Sequence, residues 1–328
     1  MDGTGRDIMK AFVAAALVAV AAFASAPAWA QYPERAVKFV VPYAAGGTSD
    51  FVARITAIKL GELTGKTFVV ENKAGASGRI GYGTVAKSEA DGYTLVASDT
   101  SYAILPGLYA KLDWAHDTDL VPVTMTASTP VVVVVHPSTG FKTLKDLIDY
   151  AKANPGKLNY GSGGRGSSTH LAAELLKSVA GIDMVHVPFK GAGDAVNGAL
   201  SNAVQVLVAA PPTVLGHVQG KLLVGLAISS AERSPALPDL PTAREAGLEA
   251  YDVTNWFGLM APKGTPQAVI SFLQQNVEKV LAQPDVKEKL MAQGAAPVGS
   301  KPADAAAQLK AETAMWTRII REANIQAD

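Results

Sequence analysis

The sequence predicts an α/β fold in which sheets of parallel strands are covered by helices. Three observations carry that prediction. Apolar, β-branched runs alternate with segments of helical periodicity along most of the chain. Five valines at 131–135 lie between Pro130 and Pro137, and such a run suits a strand buried on both faces of a parallel sheet. Glycine-rich loops at 42–50 and 160–170 fall where a strand gives way to a helix.

Taken in order, 37–41, 68–70 and 93–97 read as strands, each followed by a helical pattern at roughly 50–63, 77–87 and 101–111. In the first helix Phe51, Ile55 and Ile58 fall on one face. Residues 61–67 imitate a phosphate loop, but three residues separate Gly61 from Gly65 where four are needed, and a strand follows. Gly65 therefore reads as a helix C-cap. After the valine run, Leu144, Leu147, Ile148 and Ala151 mark a helix. Residues 158–160, 184–187, 204–208 and 223–228 read as further strands with helices between them.

The last quarter differs. Thr242 and Glu245 form a capping box, and 256–261 is strand-like. Thr265 is expected to cap a helix with Pro266 at its first position, traced by Val269, Phe272, Leu273, Val277 and Val280. Pro284 begins another helix, and Pro302 a final amphipathic one through Trp316 and Ile320. No internal repeat of fixed period is visible.

The N-terminus has the pattern of a secretory signal peptide. Lys10 precedes a run, 11–24, made almost wholly of Ala, Val, Leu and Phe, and Ala28-Trp29-Ala30 is a small-x-small cleavage site before Gln31. The run falls short of the roughly 20 residues that span a bilayer. Asp2 and Asp7 are unusual in an n-region, so Met9 is an alternative translation start. With no cysteine there is neither disulfide nor lipobox. The expectation is a soluble periplasmic protein cleaved after Ala30. Removing residues 1–30 from 328 leaves 298, which at about 150 residues per domain implies two domains. Hydrophobic content of 48% and charge of 18% are ordinary for a globular core. With 29 basic and 29 acidic residues and no basic stripe, nucleic acid is not an expected partner.

Pro42-Tyr43-Ala44-Ala45-Gly46-Gly47-Thr48-Ser49-Asp50 places free backbone N–H groups at a helix start, where the dipole adds positive potential. Gly46 and Gly47 let the backbone approach a ligand. The same stretch also reads as plain turn chemistry. The second loop, Tyr160-Gly161-Ser162-Gly163-Gly164-Arg165-Gly166-Ser167-Ser168-Thr169-His170, satisfies G-x-G-x-x-G. A dinucleotide fold also needs an acid at the end of the next strand, and His186-Val187-Pro188-Phe189-Lys190 supplies none. No cofactor is expected. Ser162, Ser167, Ser168 and Thr169 instead offer hydroxyls beside N–H groups, which suits a small oxyanion.

Catalytic motifs are missing: there is no G-x-S-x-G, S-x-x-K or H-E-x-x-H. Five scattered histidines and no cysteine give no metal spacing. His170 lies four residues before Glu174, so its ring is expected in an i,i+4 contact and its backbone near the anion site. Lys190, beside Gly191, is either a partner for a ligand carboxylate or a solvated lysine. Tyr43 is either a packed loop aromatic or a ligand floor, and its place at a strand's C-terminal end favours the second.

Both loops belong to a longer series: Glu71-Asn72-Lys73-Ala74-Gly75-Ala76, Asp91-Gly92-Tyr93-Thr94-Leu95, Pro188-Phe189-Lys190-Gly191, Leu237-Pro238-Asp239-Leu240-Pro241-Thr242, Trp256-Phe257-Gly258-Leu259 and Pro262-Lys263-Gly264-Thr265-Pro266. Together they resemble, across essentially the whole mature chain, the Bug-type (TctC-like) substrate-binding proteins of tripartite tricarboxylate transporters. The resemblance implies a two-lobed periplasmic binding protein (a Venus flytrap), each lobe a mainly parallel sheet flanked by helices. The chain would cross between lobes in 125–135 and near 253–259. Lobe 1 would comprise 31–128 and 254–328, and lobe 2 129–253. A ligand carboxylate would be held in the cleft, largely by backbone N–H groups and hydroxyls. The expected site residues are Tyr43, Ala45, Gly46, Gly47, Ser49, Asp50, Ser98, Ser162, Gly166, Ser167, Ser168, Thr169, His170, Lys190 and Gly191. Two departures stand out: Asp194 replaces a proline common after the Lys-Gly turn, and Gln205 replaces a common acid.

The leading expectation is thus a monomeric, non-catalytic receptor that closes on an organic carboxylate. It would pass the ligand to membrane permease subunits or, less often, to a sensor kinase. No metal is expected. Dicarboxylates, tricarboxylates, amino acids and aromatic acids all fit the loop motifs. The alternative is a secreted serine hydrolase using the 162–169 loop with His170 as base, although neighbours at a helix start rarely face each other.

Overall fold

Two sheets organise the chain in the computed structural model, which describes residues 32–322 and residue 325. The expected signal peptide and its cleavage site lie outside the described residues. From Arg35 onward the chain holds together as one unit.

The first sheet is built from β1 (Val37–Val41), β2 (Phe68–Asn72), β3 (Thr94–Asp99), β4 (Leu120–Pro130), β10 (Thr254–Pro262) and β11 (Ala296–Pro297), in the order β11-β4-β10-β3-β1-β2. The second contains β5 (Val132–Val135), β6 (Asn159–Ser162), β7 (Val185–Pro188), β8 (Val206–Ala209) and β9 (Val224–Ile228), in the order β7-β6-β8-β5-β9. The first half supplies α1 (Thr48–Thr64), α2 (Arg79–Ala86), α3 (Ser101–Leu108) and α4 (Leu144–Ala153). The middle supplies α5 (Ser168–Ala180), α6 (Ala192–Leu200) and α7 (Pro211–Gln219), and the end α8 (Gln267–Ala282), α9 (Pro284–Ala292) and α10 (Pro302–Glu322). This is the expected α/β, two-lobed fold.

The sheets are mixed, which corrects the expectation of mainly parallel ones. β1 pairs in parallel with β2 and β3, and β6 with β7 and β8. β10 and β11 are antiparallel to their neighbours, as is the valine strand β5 to β8 and β9. The reason is connectivity. β5 and β10 are entered directly from the other sheet, with no crossover helix to turn the chain into a parallel path. The burial inference holds regardless of direction. Val131, Val133 and Val135 pack with Leu144, Leu147, Tyr160 and Leu176 on one face, while Val132 and Val134 pack with Val196, Val214 and Leu240 on the other. That is strand alternation with helices on both sides.

The chain passes between sheets at Val131 and again between β9 and β10. Ser229 ties these passages together. Its Oγ accepts from the Val131 amide at 2.9 Å and donates to the Val253 carbonyl at 2.6 Å.

Two local expectations need correction, and one strand went unread. Beyond its first turn the buried residues of α1 are Val52, Ala53, Thr56, Ala57 and Leu60, whereas Ile58 is 59% exposed. The small residues let the helix approach its neighbours closely, and the larger Phe51–Ile55–Ile58 stripe faces outward. β4 was not legible as a strand, because Pro122, Pro130 and a run of hydroxyl residues break its pattern. Thr124 and Thr126 are buried there with their hydroxyls donating to the Ser300 and Phe257 carbonyls at 2.8 and 3.0 Å. Thr265 does not cap α8: its hydroxyl donates to Pro262 O at 2.8 Å, and Pro266 occupies the N-cap.

Candidate functional site

Five helices begin around one cavity. Its wall includes Gly47, Thr48 and Ser49 from the start of α1, Ser101 of α3, Ser167 to Thr169 of α5, Ala192 of α6 and Ala210 before α7. Each of these helices follows a strand of one or the other sheet, so the cavity sits where open α/β sheets bind ligands, beyond the strands' carboxyl ends.

The helix starts differ in how their N–H groups are used. α1 and α6 have glycine N-caps, Gly47 and Gly191, with no side-chain cap. Their first-turn N–H groups therefore lack an internal partner. In α5 the Ser167 hydroxyl accepts from His170 N at 3.3 Å and donates to Gly164 O at 2.7 Å. Thr169 Oγ1 accepts from Gly163 N, His170 Nδ1 from Gly166 N, and Ser101 Oγ from Ser168 N. The second loop thus consumes much of its own donor capacity. α7 starts with Pro211 and Pro212, which have no N–H to give.

The first loop meets the 190–193 turn and α7 closely. Ala44 N donates to Lys190 O at 3.4 Å, and the Thr48 and Thr213 hydroxyls are 2.7 Å apart. A Cβ added at Gly193 would lie 2.7 Å from Ala45 O, and one at Gly191 3.0 Å from Ala44 N. Leu171 of α5 joins the first sheet's core beside Tyr102 and Trp256.

Two carboxylates line the cavity, in different circumstances. Asp50 accepts from Gly46 N, Asn72 Nδ2 and Arg54 Nε at 2.9–3.2 Å. Burial pushes its pKa up, but Arg54, Asn72 and the Gly46 amide outweigh this and hold it below the usual range. Asp50 therefore serves the first loop, anchoring Gly46 in its left-handed conformation (φ +85°). Asp99 is buried at the end of β3. Its Oδ1 accepts from Tyr43 Oη and Ser101 N at 3.1 and 3.0 Å, and its Oδ2 from Ser49 Oγ at 3.0 Å. Burial raises its pKa, against the pull of these donors.

Of the expected residues, Tyr43, Gly47, Ser49, Asp50, Ser167, Ser168 and Thr169 line the cavity. The others stand behind or beside it. Gly46 and Gly166 donate their amides within their own loops, Ala45 and Gly191 pack loop against loop, and Ser98 donates to Tyr82 Oη at 3.4 Å. Lys190 is exposed and offers only its carbonyl to Ala44. Among the described residues, no lysine, arginine or histidine lines the cavity.

The 162–170 histidine chemistry also differs from expectation. His170 does not contact Glu174 by hydrogen bond; its ring stacks on His186 at 4.0 Å, which stacks on Tyr160 at 4.9 Å. Glu174 accepts from Tyr160 Oη and Lys177. His186 Nε2 lies 2.6 Å from Ser162 Oγ, but Ser162 is fully buried and outside the cavity. Burial drives the His170 pKa down to about 4 and that of His186 to about 3, so both rings are neutral props behind the loop.

Sequence reading missed Asp99, Ser101, Asn255 and Phe257. The signal for the first two was present: 99–101 is another strand end and helix start, but one without glycine. Asn255 and Phe257 are alternate residues of β10, and Phe257 is in register with Asp99.

A two-lobed α/β protein with a cavity ringed by helix N-termini is a small-molecule binding protein. The chain belongs to the tripartite tricarboxylate transporter receptor family, whose model, described as "Tripartite tricarboxylate transporter family receptor", matches residues 52–325. It is 36% identical to Protein BugT of Bordetella pertussis over 307 residues, covering 93% of this chain and 94% of that one. Among solved structures it is similar to R. palustris Rpa4515 with adipate (TM-score 0.87, 34% identity, 90% of this chain and 99% of that one). It is also similar to the periplasmic binding protein BugD (0.87, 31%, 90% and 100%) and to MatC from Rhodopseudomonas palustris with bound malate (0.84, 30%, 88% and 100%). The family is one of receptors rather than enzymes, which decides against the hydrolase alternative.

Proposed function

We propose that this protein captures a small organic carboxylate in the periplasm and hands it to the permease subunits of a tripartite tricarboxylate transporter. The observation that carries the reading is the ring of helix N-termini around a cavity without a lysine, arginine or histidine. Uncapped first turns bind anions through N–H groups and the dipole. Relatives that hold adipate and malate support the same class of ligand. The carboxylate sits against the starts of α1 and α6, between the backbone of Gly47 and Thr48 on one side and Ser168 and Thr169 on the other. Lobe 1 comprises 31–128 and 254–328 and lobe 2 129–253, and a hinge at the two passages opens and closes the cleft. The protein is exported, cleaved after Ala30, and acts as a monomer.

Calorimetry against a panel of adipate, malate, glutarate, citrate and benzoate tests the reading. Binding of at least one small carboxylate is expected; binding only of neutral solutes would contradict it. N-terminal sequencing of periplasmic material is expected to begin at Gln31. A chain starting at Met1 or Met9 would refute the cleavage.

A further inference from the structure

A buried carboxylate is costly unless hydrogen-bonded, and more so without a cation. Asp99 meets the first condition through Tyr43, Ser49 and Ser101, but among the described residues no basic side chain lines the cavity to meet the second. It is 5% exposed and still forms part of the cavity wall. Asp50, the other carboxylate there, already has Arg54 at 2.9 Å.

The donors around Asp99 are oriented by it. Tyr43 and Ser49 give their hydroxyl protons to the carboxylate, so the lone pairs of those oxygens remain for a ligand. Asn255, 2% exposed and also on the cavity wall, has an Oδ1 with no hydrogen-bond partner. This side of the cavity therefore accepts hydrogen bonds, while the uncapped helix starts donate them. A simple dicarboxylate would meet like charge here, whereas a ligand that also carries a cationic donor would be matched at both ends. A metal ion is a poor candidate, since no cluster of three or more acidic, histidine or cysteine ligands occurs among the described residues.

We propose that Asp99 makes this an amino-acid site: it receives the ammonium group of a zwitterionic ligand whose carboxylate lies on the helix N-termini. The proposal rests on the carboxylate reading above and deepens it.

The test is calorimetry on matched pairs that differ by one ammonium group: L-glutamate against glutarate, and L-aspartate against succinate. The amino member of at least one pair is expected to bind wild-type protein at least tenfold more tightly. Asp99→Asn is expected to erase that preference, bringing the affinity ratio within each pair to about one whatever the variant's absolute affinity for glutarate and succinate. Should Asp99→Asn fail to fold, Asp99→Ser removes the same charge with a smaller side chain and carries the same expectation. Equal or tighter binding of glutarate and succinate by wild type would overturn the ammonium site and leave the carboxylate reading standing. So would a preference that survives loss of the Asp99 charge. Failure of all four ligands, adipate and malate to bind would overturn both.

Discussion

The loops at 42–50 and 162–170 look alike in sequence and differ in how they spend their donors. Both follow a strand, carry glycines and open a helix. The first leaves α1 uncapped, because Gly47 has no side chain to fold back onto the helix start. The second is laced by its own hydroxyls: Ser167 caps α5, Thr169 holds Gly163 N, and His170 holds Gly166 N. A serine beside a free N–H is as able to satisfy that N–H as to assist a ligand. In the function proposed above the glycine loop is the anion binder of the pair, and the serine-rich loop is a braced wall.

The largest expected effect breaks the contact between the first loop and the start of α6. In Gly193→Ala the new Cβ would lie 2.7 Å from Ala45 O, so the first loop must move off α6. Alanine is favoured over glycine within a helix by up to about 1 kcal/mol, so α6 itself is not weakened. Carboxylate affinity is expected to fall at least tenfold by calorimetry, with little change in melting temperature. Unchanged affinity would mean that the first loop and α6 need not meet.

A reciprocal pair sharpens the contrast. Ser167→Ala removes a cap and is expected to lower stability by about 1 kcal/mol, read by urea denaturation. Gly47→Ser adds a cap hydroxyl where a Cβ has room, at 3.6 Å from Ala192 Cβ. It is expected to raise stability by a few tenths of a kcal/mol, roughly the difference between glycine and serine caps. Ligand affinity should fall, because the new hydroxyl occupies an N–H the ligand needs. Tighter binding by Gly47→Ser would reverse the assignment of roles.

Acid should act on the braced loop. His170 and His186 have native pKa values of about 4 and about 3, below the unfolded value of about 6.5. Between these limits the unfolded chain binds protons that the native one does not, so stability falls as pH drops through that window. The slope is at most about 1.4 kcal/mol per pH unit for each ring. Melting curves of His186→Gln should show a shallower acid limb than wild type; identical limbs would remove the histidine stack from the account.

The smallest effect is expected at Lys190, which is exposed and contributes its carbonyl rather than its charge. Lys190→Ala should leave affinity within about twofold.

Much of this architecture was legible because strand and helix periodicities are strong signals. The valine run located β5 and its burial, yet not its direction, since alternation fixes which residues are covered and says nothing of how the chain enters a sheet. The α1 stripe misled because Val52, Ala53, Thr56 and Ala57 are too small or polar to announce a core face, while Phe51, Ile55 and Ile58 are large and half-buried or exposed. At the site, glycine drew attention to two junctions and away from a third at Asp99, where the structure places a buried carboxylate hydrogen-bonded by Tyr43, Ser49 and Ser101. Lys190 was a natural candidate by charge alone; its exposure is a tertiary fact that local sequence does not carry.

The central claim is that the ligand carboxylate is held by backbone donors at uncapped helix starts. A crystal structure of the protein with a bound carboxylate from the calorimetric panel tests it most directly. The account predicts carboxylate oxygens within about 3.2 Å of amide nitrogens in the first turn of α1 or α6, with Lys190 Nζ turned to solvent. A carboxylate paired with Lys190 Nζ or another side-chain cation, and clear of those amides, would contradict it.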